Sequence, residues 1–178
     1  MNKLIFPFLI FILLLTTSLA FAKDSSQSAI MENVSYDIPY PGILPDNPLY
    51  FLKAVRDNLI GYLITDSVKK AEYNLLQSDK RLAASQKLLE EGKINLSVTT
   101  LSKSGNYFYN AIEKAADAKN KGQDANLILD KLLQASKKHQ KIIFEMTQSL
   151  KGDKQKMYVS FQERARLFQK KVEQIKSK

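Results

Sequence analysis

Side chains able to do chemistry are few in this sequence, and their spacing does not assemble them. There is one histidine and no cysteine among 178 residues. His139 has no partner at metal-ligand spacing, and the chain carries no H-E-x-x-H. It falls on an apolar helical seam between Ser136 and Ile143, where a structural, hydrogen-bonded histidine is expected; a lone ligand or a pH sensor is the alternative. Glu90 and Glu91 are paired carboxylates only in sequence. Adjacent residues on a helix point about 100° apart, so the two cannot converge on one substrate and mark a solvated helix end. No glycine-rich phosphate loop, nucleophile elbow or Ser/His/Asp set is present. The reading is no catalytic residue, no cofactor and no metal.

Aromatic and cationic residues are better placed to bind than to react. Tyr107, Phe108 and Tyr109 are consecutive, so at least one must face away from a helix's core seam, and Tyr36, Tyr40, Tyr50, Phe51 and Tyr62 gather towards the N-terminal side. Tyrosines covering a junction, ring inward and hydroxyl wet, are the simple account; an aromatic groove for a glycan or peptide is the functional one. The basic excess is concentrated at the end of the chain, where residues 153–178 hold eight cations against Asp153, Glu163 and Glu173. Arg164, Lys171 and Lys178 recur every seven residues and form one ridge on a helix. Such a ridge either keeps an apolar helix soluble or holds it to anionic lipid headgroups or another polyanion.

The elements that must position these residues begin at a proline-rich stretch, Pro39–Lys53. Four of the five prolines lie between Pro39 and Pro48, and none comes later. Each fixes φ, removes a donor and pushes the preceding residue out of the helical region, so residues 39–47 read as an extended arm that can turn at Gly42. Asn47 suits a helix N-cap and Pro48 the first helical position. Tyr40, Pro41, Ile43, Leu44, Pro45 and Tyr50 then either pack onto the helices downstream or form a docking surface for a partner.

From Pro48 onward apolar residues recur at alternating steps of three and four, predicting helices over about 48–64, 67–91, 95–120, 124–150 and 153–176. Gly92, Gly122 and Gly152 stand 30 residues apart, each where a left-handed C-cap is wanted. Asp66 and Asp153 are candidate caps, and Ser78, Ser85 and Gly105 fall at seam positions where helices can approach closely. Gly105 alternatively marks a break in the third long helix. The expected fold is all-α: an up-down antiparallel bundle of about four long helices, with a shorter N-terminal helix preceded by the proline-rich arm.

Residues 1–22 read as a secretory signal, with Lys3, the uncharged run Leu4–Leu15 and Ala20-Phe21-Ala22 before Lys23. The alternative is an uncleaved anchor, since Leu4–Ala22 is 19 residues. Residues 23–38 read as a polar tether, leaving 39–178 as a single helical domain. With 44% hydrophobic and 25% charged residues, the chain has the composition of a folded helical protein.

Pro41-Gly-Ile-Leu-Pro-Asp-Asn-Pro-Leu-Tyr-Phe-Leu-Lys53 resembles the opening motif of a family of exported bacterial proteins classed as a domain of unknown function, which reads P-G-x-L-P-D-S-P-L-Y-x-L-K. Asn47 stands where that motif has serine, and both are good caps. Asp66-Ser-Val-Lys-Lys-Ala-Glu-Tyr73 is similar to the family's D-P-E-K-K-A-E-L, departing at Ser67 and Val68, and Arg81–Ala83 with Leu88–Lys93 resemble its next segment. The resemblance spans about 36–150 and implies an extracytoplasmic bacterial helical domain. It implies no catalytic residue.

Two function classes stay open. One is a non-enzymatic helical bundle of the bacterial envelope, periplasmic, extracellular or membrane-anchored, that binds an envelope protein or an anionic lipid or polymer. The other is an enzyme or transport-accessory subunit of the envelope whose site has no recognisable motif. Nucleic acid is not an expected partner of an exported chain.

Overall fold

The structure is a computed structural model that describes residues 34–177. The segment read as a signal, most of that read as a tether, and Lys178 lie outside the described residues. Among the described residues the arm leads into five helices: α1 (Tyr50–Leu63), α2 (Ser67–Glu90), α3 (Ile94–Asn120), α4 (Asn126–Gln148) and α5 (Gly152–Ser177). The all-α bundle expected from the periodicity is present, and the long helices start and stop within about two residues of their expected limits.

Local chemistry sets those limits. Asp66 Oδ1 accepts the amide of Lys69 at 2.8 Å and caps α2. Gly92 and Gly122 close α2 and α3 with φ of 75° and 73°. In each case the residue after the glycine donates back five positions, Lys93 to the Leu88 carbonyl and Gln123 to that of Ala118, which satisfies carbonyls the helix end leaves open. Gly152 differs from its expected role: α4 stops at Gln148, and the glycine opens α5. Asn47 caps only a turn, its side chain accepting the Leu49 amide at 2.9 Å, and the regular helix starts at Tyr50 instead of Pro48.

α2 and α3 form the tightest pair. Ser78 faces Ser104 and Ser85 faces Ser97, and the same antiparallel register sets Ala71 opposite Ala111. Small residues every seventh position on both helices let the two backbones approach, and each serine hydroxyl finds a partner across the seam. α4 and α5 form the second hairpin. α2 packs on α4 and α3 on α5, so α2 and α5 occupy opposite corners and the short α3–α4 connection crosses the remaining diagonal.

Two apolar clusters fill the interior, one around Leu75, Phe108, Ile112, Leu132 and Val172, the other around Leu82, Leu101, Ile143, Met146 and Tyr158. Between them along α2, α3 and α4 lies a polar level of Ser78, Asp79, Ser104, His139 and Gln140, all buried. The packed chain begins before Pro39: Tyr36 leans on the first cluster and Ile38 on the second.

One seam position differs from the sequence reading. α3 runs unbroken through Gly105, and the glycine faces the Arg164 side chain, while Ser104 holds the close contact with α2. On α5, Tyr158 is fully buried and Met157 is 47% exposed. The reason is polar: the Tyr158 hydroxyl reaches Ser97 Oγ at 2.7 Å, a partner that a thioether cannot supply.

Candidate functional site

The buried histidine is held, not free. His139 Nε2 lies 2.7 Å from Asp79 Oδ1, and the Tyr36 hydroxyl donates to Asp79 Oδ2 at 2.6 Å. α4 supplies the imidazole, α2 the carboxylate, and the segment before the prolines supplies the phenol. The Phe108 ring meets the imidazole edge-on, with centroids 4.9 Å apart. Burial, with Asp79 adding to it, pushes the Tyr36 hydroxyl well above its ordinary value, so it remains a donor. Both members of the His–Asp pair are almost fully buried, and among the described residues no serine, threonine or cysteine hydrogen-bonds the imidazole. The group fits a clasp joining α2, α4 and the arm. Nothing in the sequence marks Asp79 or Tyr36 as its partners, because their convergence depends on how α2 and α4 pack.

A different arrangement occurs at α1. Ala54, Asp57 and Gly61 share the side that faces α2, and the latter two are buried. Polar groups make this contact: the Tyr73 hydroxyl donates to the Asp57 carbonyl and Lys70 Nζ to that of Gly61. Asp57 is covered by Arg56, 2.8 Å away. Gly61 lets the Tyr73 ring come in, since a Cβ there would sit 3.0 Å from it. The other side of the helix is apolar and open: Phe51 is 69% exposed, Leu59 59% and Tyr62 83%. An ordinary amphipathic helix turns its apolar stripe to the core. α1 turns it outward.

The arm lies along the first turns of α1. Lys53 Nζ donates to the Pro41 carbonyl at 3.1 Å, and Asp46 pairs with Lys93 at the α2–α3 turn. Of the residues considered for docking, Pro41 is buried, Leu44, Pro45 and Tyr50 are half-buried, Ile43 is exposed and Tyr40 is 79% exposed. Arm and α1 enclose an open groove of about 430 Å³ lined by Tyr40, Ile43, Leu52, Lys53, Arg56 and Lys80. Burial depresses the Lys53 pKa; Asp57 opposes this, and Arg81, Lys80 and Arg56 add to the depression. Cations outnumber anions here.

The basic ridge on α5 faces another helix. Arg164 Nη2 donates to Asn106 Oδ1 at 2.8 Å, and Lys171 pairs with Glu113 at 2.5 Å and lies over the Tyr109 ring. Lys178, its third member, is outside the described residues. The three consecutive aromatics separate as their positions require: Phe108 is buried, Tyr107 stacks under Arg81 at 4.1 Å, and Tyr109 stays exposed beside Lys171.

Among the described residues no group of three or more His, Cys, Asp or Glu could hold a metal ion, and no helix is long and apolar enough to cross a membrane. A family described as a domain of unknown function (DUF5667) matches residues 42–178, from Gly42 in the arm to the end of α5 and beyond. The chain belongs to this family. No curated protein and no solved structure matches it. The DUF5667 match takes in α1 and most of its arm together with the four long helices, so the outward-facing helix belongs to the domain itself.

Proposed function

We propose that this chain is a non-enzymatic, extracytoplasmic helical-bundle protein of the bacterial cell envelope whose contact surface is the arm and α1. The observation that carries the reading is the orientation of α1, which exposes its apolar side beside an excess of cations. A contiguous apolar face of this kind on a folded domain marks an interaction surface. The His–Asp–Tyr clasp, with His139 and Asp79 almost fully buried and paired to each other, serves the fold. The signal-like segment over 1–22 and the resemblance of the proline motif to exported proteins support the location.

The absence of native cysteine allows one experiment to test both parts. Single cysteines at Leu59 on α1 and at the exposed Lys137 on α4 are placed in the full chain and expressed in the host. Intact cells are treated with a maleimide that does not cross the cytoplasmic membrane. The expected result is fast labelling at position 137 and protection at 59, with both reacting equally once the protein is purified. No labelling at 137 until cells are lysed overturns the extracytoplasmic reading. Equal labelling of both in cells overturns the contact surface.

A further inference from the structure

The occupant of the α1 face can be specified by chemistry. We infer that α1 lies in the headgroup region of an anionic lipid bilayer, with Phe51, Leu52, Val55, Leu59, Tyr62 and Leu63 inserted and Lys53, Arg56 and Lys80 at the phosphates. This rests on the reading that the α1 face is the contact surface, and it names what that face contacts.

Three observations select a bilayer. First, α1 has 14 residues, about 21 Å at 1.5 Å per residue, whereas about 20 apolar residues are needed to cross a membrane. A short helix with a broad apolar face, aromatic at Phe51 and Tyr62, is built to lie in an interface. Second, cations outnumber anions around the face. The acidic residue of α1, Asp57, is buried beneath Arg56, which pairs with it at 2.8 Å and keeps its outer side exposed, while Lys53 and Lys80 line the adjoining groove. Among the described residues Lys80 has no carboxylate partner, and Arg81 and Lys53 add to the crowding. A surface of phosphate headgroups relieves that crowding. Third, the same charges disfavour a second copy of the chain. A two-fold contact through α1 brings the Lys53, Arg56 and Lys80 cations of both copies to one interface, in a chain whose formal net charge is already +9.

The chain has no tryptophan, so one placed on α1 reports from that face alone. The full-length Phe51→Trp variant is titrated with vesicles of phosphatidylcholine, with and without phosphatidylglycerol, some carrying brominated acyl chains. Leu127→Trp, at an exposed site on α4, controls for insertion of any other part of the chain. Anionic vesicles are expected to shift the emission of the indole at position 51 to the blue and brominated lipid to quench it, while the indole at position 127 stays unmoved. Adding Leu52→Gln and Leu59→Gln abolishes the shift; both positions are exposed, so the fold is retained. Replacing Lys53 and Lys80 by glutamine raises the lipid concentration for half-maximal shift by about fivefold for each charge, and added salt raises it further. Equal responses to neutral and anionic vesicles overturn the assignment, as does a response at position 51 no larger than that at 127. If the indole at 51 stays silent while position 59 is protected in cells, the occupant is a protein: the lipid inference falls and the contact surface stands. If position 59 is not protected, the contact surface itself falls.

Discussion

The hydroxyls of Ser85 and Ser97 cross between helices, each donating to the other's backbone carbonyl, at 2.8 Å and 2.6 Å. Ser97 Oγ then accepts the Tyr158 hydroxyl, which is fully buried. Ser97→Ala therefore removes one cross-helix bond and leaves a buried phenol without its partner, at a cost of about 1–3 kcal/mol. The double variant Ser97→Ala, Tyr158→Phe removes both polar groups and is expected to recover part of that loss. Urea midpoints of the two single variants and the double variant check this; strict additivity would show that the two hydroxyls are not coupled.

Tyr36 holds the start of the arm to Asp79. In Tyr36→Phe the ring still leans on the apolar cluster, but the carboxylate loses a donor. Stability is expected to fall by about 1–3 kcal/mol, and amide exchange over residues 34–40 to accelerate more than exchange in α3. Uniform acceleration through the chain would mean that Tyr36 stabilises the whole bundle without tethering the arm.

High pH probes the same tyrosine and two others. Tyr36, Tyr73 and Tyr158 all have hydroxyls raised above the ordinary value of 10.0, first by burial, and Tyr73 is pushed up to about 12. A raised value means that the folded chain keeps a proton the unfolded chain has lost. The associated stability is fully present below about pH 10 and declines as pH rises through the folded values. Denaturation midpoints are expected to drop between about pH 10 and about pH 12, the span between the ordinary and the folded value of Tyr73. Tyr73→Phe should flatten the slope, and an unchanged slope would exclude Tyr73 as a contributor.

Two glycines make opposite predictions. A Cβ at Gly105 would meet the end of the Arg164 side chain at 3.0 Å, and a guanidinium can swing aside. Gly105→Ala is thus expected to stabilise the chain by about 0.5–1 kcal/mol through helix propensity. A Cβ at Gly61 would meet the Tyr73 ring at 3.0 Å, and that ring is pinned by its bond to the Asp57 carbonyl. Gly61→Ala should loosen α1, seen as faster amide exchange over 50–63 with little change in α2–α5. Melting temperatures and exchange together distinguish the two cases.

The long helices were legible because their apolar spacing, Asp66 and the glycines at 92 and 122 are local signals. Ser78 and Ser85 were legible as seam positions for the same reason, whereas their partners Ser97 and Ser104 depend on the register between α2 and α3. Asp79 is a charged residue one step from the seam, and nothing local says that it will be buried against His139. The expected basic ridge of Arg164 and Lys171 had the correct spacing, but spacing cannot tell a solvent face from one that meets Glu113 and Asn106. The face of α1 was hidden for a related reason. An apolar stripe in sequence carries no sign for inward or outward, and only the placement of Asp57 and Gly61 against Tyr73 supplies it.

Because α1 is fastened through backbone carbonyls and a glycine, its outward side chains contribute nothing to the bundle's interior. The two halves of the domain thus answer to separate constraints. Substitutions in the four-helix core are disciplined by packing, whereas those at positions such as Leu52, Val55 and Leu59 are limited only by what they touch outside. A scaffold built this way can be retargeted by rewriting one face of one short helix, without renegotiating its own folding.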